Sequence, residues 1–181
     1  MKALETVDPH WSDGLQCRTA CSKQVSNAPM RNTKANRHLQ RIHTMPSIED
    51  RFAISELLTR MAYYYDEGLL DHLEASFSQN AVMSMQIAGG DLVGPFQGRE
   101  DIMALYHNAK STQTDVRRHD ITNVFFDVTD GVISTTSYLT LFATEHGETK
   151  LMTTGVYRDI VEQSEGVWRV VKRHIDLDSG Y

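Results

Sequence analysis

The chain has 181 residues, 40% of them hydrophobic and 23% charged, with a formal net charge of -6. That balance suits one soluble domain with a sizeable core and speaks against a non-specific nucleic-acid binder, whose footprint is basic. No run of about 18 apolar residues is present to span a membrane, and two cysteines, Cys17 and Cys21, make no disulfide framework, so a reducing, cytoplasmic setting is expected.

Charge is divided unevenly along the chain. Residues 1–44 hold seven Lys/Arg against three acids, a net +4, so residues 45–181 carry -10 to reach the total of -6. Trp11 is the only aromatic residue in this leader, and no apolar periodicity persists, so composition predicts disorder. Cys17, Cys21, His38 and His43 give C-x3-C-x16-H-x4-H, whose short spacings fit a tetrahedral zinc site. The central gap is longer than the usual x12, and no aromatic residue lies inside it to form a small core. The leader is therefore read as an unstructured tail, with no metal, and Met45 as an alternative translation start.

From Ser47 the pattern changes. Ser47-Ile48-Glu49-Asp50 resembles a helix cap, and Ile54, Leu57, Leu58, Met61, Ala62 and Tyr65 follow at helical spacing up to Gly68. A second helix is expected from Asp71 to Phe77, capped by Asp71. Ala81 to Ile87 reads as extended, Gly89-Gly90-Asp91 as a turn, Gly94 to Gly98 as a loop, and Arg99 to Ala109 as a third helix.

The remainder is strand-like. Residues 117–129 run into the hairpin signal Asp130-Gly131, and segments 132–145, 149–163 and 167–177 follow, separated by His146-Gly147-Glu148 and Ser164-Glu165-Gly166. Trp168 reads as sheet packing. Helices ahead of a long antiparallel meander predict an α+β domain, its helices packed on a strongly curved, cone-like sheet that encloses one pocket.

Within the first of these strands, His119, Ile121, Asn123 and Phe125 share a face by alternation, so an imidazole is expected at the mouth of an apolar interior, where it suits proton transfer. Asp66 is its candidate partner. Leu58, Ala62 and Asp66 are four apart, so the carboxylate lies beside the buried stripe, and it does so at a helix C-terminus that disfavours negative charge. An exposed or merely turn-capping Asp66 is the competing reading. Among further candidates, Asn123 could bind a substrate oxygen, Tyr138 could donate to a leaving group, and Tyr63, Tyr64 and Tyr65 point about 100° apart, so that only one or two reach a cavity. Arg158 and Arg173 could close on an acidic substrate. The other histidines show no metal-ligand spacing, and no Gly-rich nucleotide loop is present.

Met45 to Leu177 resembles a SnoaL-like member of the nuclear transport factor 2-like superfamily. The resemblance is carried by Ile54 to Leu58 with Tyr65-Asp66-Glu67-Gly68, Gly94 to Gly98, His119 to Asn123, Gly155-Val156-Tyr157-Arg158-Asp159, and Gly166 to Val170. It implies that Asp66 and His119 correspond to the Asp–His pair that a scytalone dehydratase, a dehydrochlorinase and a bile-acid dehydratase of that superfamily use, with His119 as base and Asp66 as its orienting partner. The bile-acid enzyme has a tyrosine five residues before its aspartate, where this chain has Met61. The expectation is a cofactor-independent, dehydratase-type lyase or isomerase for a small, apolar, cyclic molecule, with His119 and Asp66 catalytic and Tyr64, Tyr65, Asn123 and Tyr138 substrate-binding. A homo-oligomer is expected, with no metal, nucleic acid or membrane partner. A ligand-binding or scaffold subunit like the small subunits of aromatic-ring dioxygenases, and a polyketide cyclase, are the alternatives.

Overall fold

A computed structural model of the chain describes residues 45–181; the leader, with its expected disorder and its Cys/His spacing, lies outside the described residues. Helix α1 runs Ile48–Asp66 and α2 Leu70–Ala75; strands β1 (Phe77–Ile87) and β2 (Val93–Gln97) precede α3 (Arg99–Thr112), and β3 (Val116–Thr129), β4 (Val132–Glu145), β5 (Glu148–Ser164) and β6 (Val167–Leu177) follow.

Helix α1 begins as its sequence predicts. The Ser47 hydroxyl accepts the Asp50 amide at 3.0 Å and donates to the Asp50 carboxylate at 2.8 Å, while Glu49 and Asp50 face the positive helix end. Ile54, Leu58 and Met61 form its fully buried stripe. Its end is a Schellman turn. Gly68, at φ +71°, donates to the Tyr65 carbonyl, and Leu69 donates to that of Tyr64. A left-handed residue is required there, and glycine adopts it without a Cβ clash.

Two expectations need correction. Helix α2 starts at Leu70 with Leu69 as its cap residue, and no side chain caps it. Asp71 lies inside the first turn, where its charge still suits the positive end. The segment expected as a Gly/Pro loop is the strand β2, paired antiparallel with β1. Pro95 is compatible with that because β2 is an edge strand, and one side of it needs no amide donor.

The sheet order is β2-β1-β6-β5-β4-β3, and every neighbouring pair is antiparallel except β1 with β6. The sheet is curved but does not close, so β2 and β3 are free edges. Its concave face packs on the helices through a core that includes Ile54, Leu58, Phe77, Met83, Ile102, Val161 and Val170. Trp168 packs at the margin of that core.

Gly155 on β5 shows how tightly adjacent strands are seated. A Cβ placed there would stand 2.3 Å from the Asp176 carbonyl of β6, a backbone atom that cannot step aside. Gly155→Ala should therefore cost about 1–3 kcal/mol of unfolding free energy, read from the urea midpoint at unchanged m-value; an unaltered midpoint would show that the two strands separate freely.

Candidate active site

The site begins where α1 ends. The Schellman turn and the cap satisfy the carbonyls of Tyr63, Tyr64 and Tyr65, which leaves that of Asp66. Lys110 of α3 donates to it at 2.8 Å. No basic residue lies in the last turn of α1 itself, so this lysine from another helix supplies the cation that a helix C-terminus favours.

The Asp66 side chain reaches the neighbouring edge strand. His119 lies on β3, whose outer edge has no further strand to accept its amides. The Asp66 carboxylate takes that role. Its Oδ2 accepts the His119 backbone N–H at 2.9 Å, and its Oδ1 lies 2.5 Å from the ring Nδ1. Both side chains are only 6% exposed. An ionised carboxylate accepts and cannot donate, so the ring proton resides on Nδ1 and the Nε2 lone pair is left free. Nε2 has no protein partner among the described residues, and the ring faces a cavity of about 200 Å³.

That cavity lies between the concave sheet face, α1 and α3. Its walls are largely apolar, with Met61 and Ala62 from α1, Met83 and Met85 from β1, Leu105 and Ala109 from α3, and Leu139, Ile175 and Leu177 from the sheet. Tyr65, Tyr106, Tyr157, Tyr181 and Arg173 add polarity. The volume is below the roughly 300–1,000 Å³ usual for drug-sized ligands, so it suits a small molecule.

Of the three consecutive tyrosines, Tyr65 is the one that lines the cavity. Its ring lies 5.3 Å from that of His119 and 4.8 Å, edge to face, from Tyr106. Burial pushes its phenol up to about 12, helped by the neighbouring Tyr106 and Tyr181. Tyr64 is directed elsewhere, stacked 5.2 Å from His72, and Tyr63 is exposed.

Arg173 is buried in the cavity wall, held bidentate by Asp159 at 2.7 and 2.9 Å and stacked 4.7 Å from the Tyr157 ring. Burial works against its charge, but the Asp159 carboxylate outweighs it and holds the guanidinium above its ordinary pKa. Arg158 is on the other face, exposed and paired with Asp176.

Asn123 and Tyr138 do not reach the cavity. A bulge in the β3–β4 pairing falls between Thr122 and Phe125, and Asn123 sits in it at φ +51°. The extra residue reverses the alternation: His119 and Ile121 are on the inner side before it, Val124 and Phe126 after it, so Asn123 and Phe125 are exposed. On β4 the inward residues are Thr135, Ser137, Leu139, Leu141 and Ala143, which leaves Tyr138 outward and 47% exposed. The positions that sequence reasoning missed are Lys110, Tyr106, Tyr157 and Tyr181. Alternation along β5 could have indicated Tyr157, but nothing local marks Lys110. Among the described residues no cluster of three or more His, Cys, Asp or Glu is placed to hold a metal ion, and no helix is long and apolar enough to cross a membrane.

The family model for the SnoaL-like domain matches residues 46–174. No curated protein is similar enough to match. Among solved structures, Aln2 from a Streptomyces species is 25% identical, with a TM-score of 0.63 over 75% of this chain and 95% of its own. A Catenulispora acidiphila protein in complex with S-DNPA is 20% identical, at 0.64 over 73% and 96%. The beta subunit of a putative aromatic-ring-hydroxylating dioxygenase from Novosphingobium aromaticivorans is 17% identical, at 0.64 over 74% and 92%. These likenesses establish a fold that carries both small-ligand sites and oxygenase subunits.

The raised Tyr65 phenol has a consequence for stability. The unfolded chain loses this proton near pH 10 and the folded chain only near 12, so between those values the folded state binds more protons and stability falls as pH rises. Tyr65→Phe should show a shallower alkaline decline than the wild type in urea unfolding from pH 9 to 12, whereas parallel curves would place the phenol in water.

Proposed function

The chain belongs to the SnoaL-like domain family, and on that premise we propose that it is a cofactor-independent, dehydratase-type lyase or isomerase for a small, mostly apolar cyclic molecule. The observation that carries this reading is the buried carboxylate–imidazole pair, whose histidine lines a largely apolar cavity. His119 removes a proton from a carbon next to an activating group. Asp66 fixes the tautomer and stabilises the imidazolium, which then returns its proton to the departing group. Tyr65, whose ring is tilted against that of His119 and whose phenol stays neutral up to about pH 12, is the helix-one tyrosine that donates to that group. General-base action supplies about 10²–10⁴-fold, and positioning in a dry cavity the rest.

The competing class is a scaffold subunit of the dioxygenase kind. A shielded, oriented base facing a cavity has no use in a scaffold, and that favours the catalytic reading. A polyketide cyclase has the same proton chemistry on a larger substrate, against which the cavity volume weighs. Self-association belongs to the same proposal: Phe125 and Tyr138 are exposed on the outer sheet face, and light scattering reads the mass.

Tested against a panel of small cyclic β-hydroxy ketones followed by enone absorbance, His119→Ala and Asp66→Asn should each lose at least about 10²-fold in kcat while keeping the wild-type circular dichroism. Undiminished turnover in both variants, or a stable complex with an iron–sulfur oxygenase subunit in place of turnover, removes the proposal.

A further inference from the structure

Lys110 stands where two helices end. It lies in the last turn of α3, and its ammonium donates to the Asp66 carbonyl, the last of α1, at 2.8 Å. Its other acceptor is the side-chain oxygen of Gln113, the cap residue of α3, at 3.4 Å. Among the described residues it pairs with no carboxylate. The stem of the side chain runs over the turn that closes α1, so that a Cβ at Gly68 would stand 3.4 Å from the Lys110 Cε.

The same lysine is tied to the strand that carries His119. Gln113 donates to the Asp115 carbonyl at 2.6 Å, and the Asp115 carboxylate accepts the Arg117 Nε at 2.9 Å. Arg117 precedes His119 by two positions on β3. His119 in turn gives its backbone amide and its ring Nδ1 to the Asp66 carboxylate. These contacts close a circuit that runs from Asp66 through Lys110, Gln113, Asp115 and Arg117 to His119 and back to Asp66. Both members of the pair are therefore placed by reference to one lysine.

Asp66 needs such a tie. A helix C-terminus carries partial negative charge, and the carboxylate adds a full one beside it. The two repel, so an untethered Asp66 peptide turns toward water and takes its side chain with it. The imidazole does not tolerate that movement. Which ring nitrogen holds the proton is set by the hydrogen bond the ring makes, and a displacement of about 0.5 Å is enough to loosen a site of this kind. We infer that Lys110 is a positioning residue for the His119–Asp66 pair, holding the Asp66 peptide where its carboxylate keeps the imidazole proton on Nδ1. Lys110 does not line the cavity, so it acts through Asp66 and not on the substrate. The catalytic meaning of this role rests on His119 being the base.

The test reads the tautomer itself. On the isotope-labelled full chain at about pH 9, above the ordinary histidine range, long-range proton–nitrogen correlation should find the His119 ring protonated on Nδ1. Hydrogen exchange should find its backbone amide protected. Lys110→Met keeps a side chain of similar length and removes the ammonium. In that variant the ring should move toward the mixed tautomers of a solvent-exposed histidine. Its amide should exchange at least about tenfold faster, relative to core amides of β4. Ser47→Ala controls for a merely structural role, because it weakens α1 at its other end; it should leave both readouts at their wild-type values. Lys110→Gln takes the place of Lys110→Met if the latter does not fold, with the same result expected. A wild-type value of either readout in the lysine variant overturns the inference, and so does Ser47→Ala moving them as far. None of these readouts needs turnover. An inactive wild type with the expected tautomers therefore refutes His119 as base and leaves the positioning by Lys110 standing.

Discussion

The described domain depends on one carboxylate gripping one residue twice. Asp66 accepts both the backbone amide and the ring nitrogen of His119. The first bond fastens the end of α1 to the free edge of the sheet, and the second aims the imidazole. One side chain thus both closes an edge and orients an imidazole, so the place where the helix is seated sets the direction of the ring. The Schellman turn immediately after Asp66 fixes where α1 stops, and therefore where the carboxylate stands. Lys110, bound to the same residue's carbonyl, offsets the unfavourable end of the helix.

In the wall of the same cavity a second polar group is held in a comparable way. Arg173 is tied by Asp159 and covered by Tyr157, so a full positive charge is kept in a wall of thioethers, aliphatic chains and tyrosine rings. Such a pair contributes little net stability, because desolvation consumes most of the attraction. It keeps a fixed cation in the wall of the cavity that His119 also lines.

Much of this was legible in the sequence, and the parts that were not share a cause. The capping serine, the α1 stripe, Gly68 and the hairpin turns are local signals, and each element they delimit is present with ends within a few residues. Asp66 was conspicuous because it opposed two local preferences at once. The inner face of β3, in contrast, was extrapolated through Asn123. Asparagine tolerates a left-handed backbone better than most residues, but nothing in the composition of Thr122-Asn123-Val124 says that it adopts one here. A single bulge then displaced Asn123 and Phe125 to the outside. The wrong face for Tyr138 has a similar origin, since alternation gives two faces of β4 without saying which is concave.

By itself, then, the sequence determined the α+β class, the bounds of most elements, and the two residues whose types and positions made a proton-transfer pair conceivable. Those follow from short-range physics: the helical period, strand alternation, and the backbone freedom of glycine. Tertiary structure alone decided that Asp66 meets His119 across 53 positions of chain, that Lys110 serves the same residue, that Tyr65 and not Tyr64 lines the cavity, and that Tyr106, Tyr157 and Arg173 line the same cavity as His119. The physical reason is that such encounters depend on how a curved sheet wraps its helices. Curvature and register are sums over many weak packing and pairing terms, and no single stretch of residues carries them.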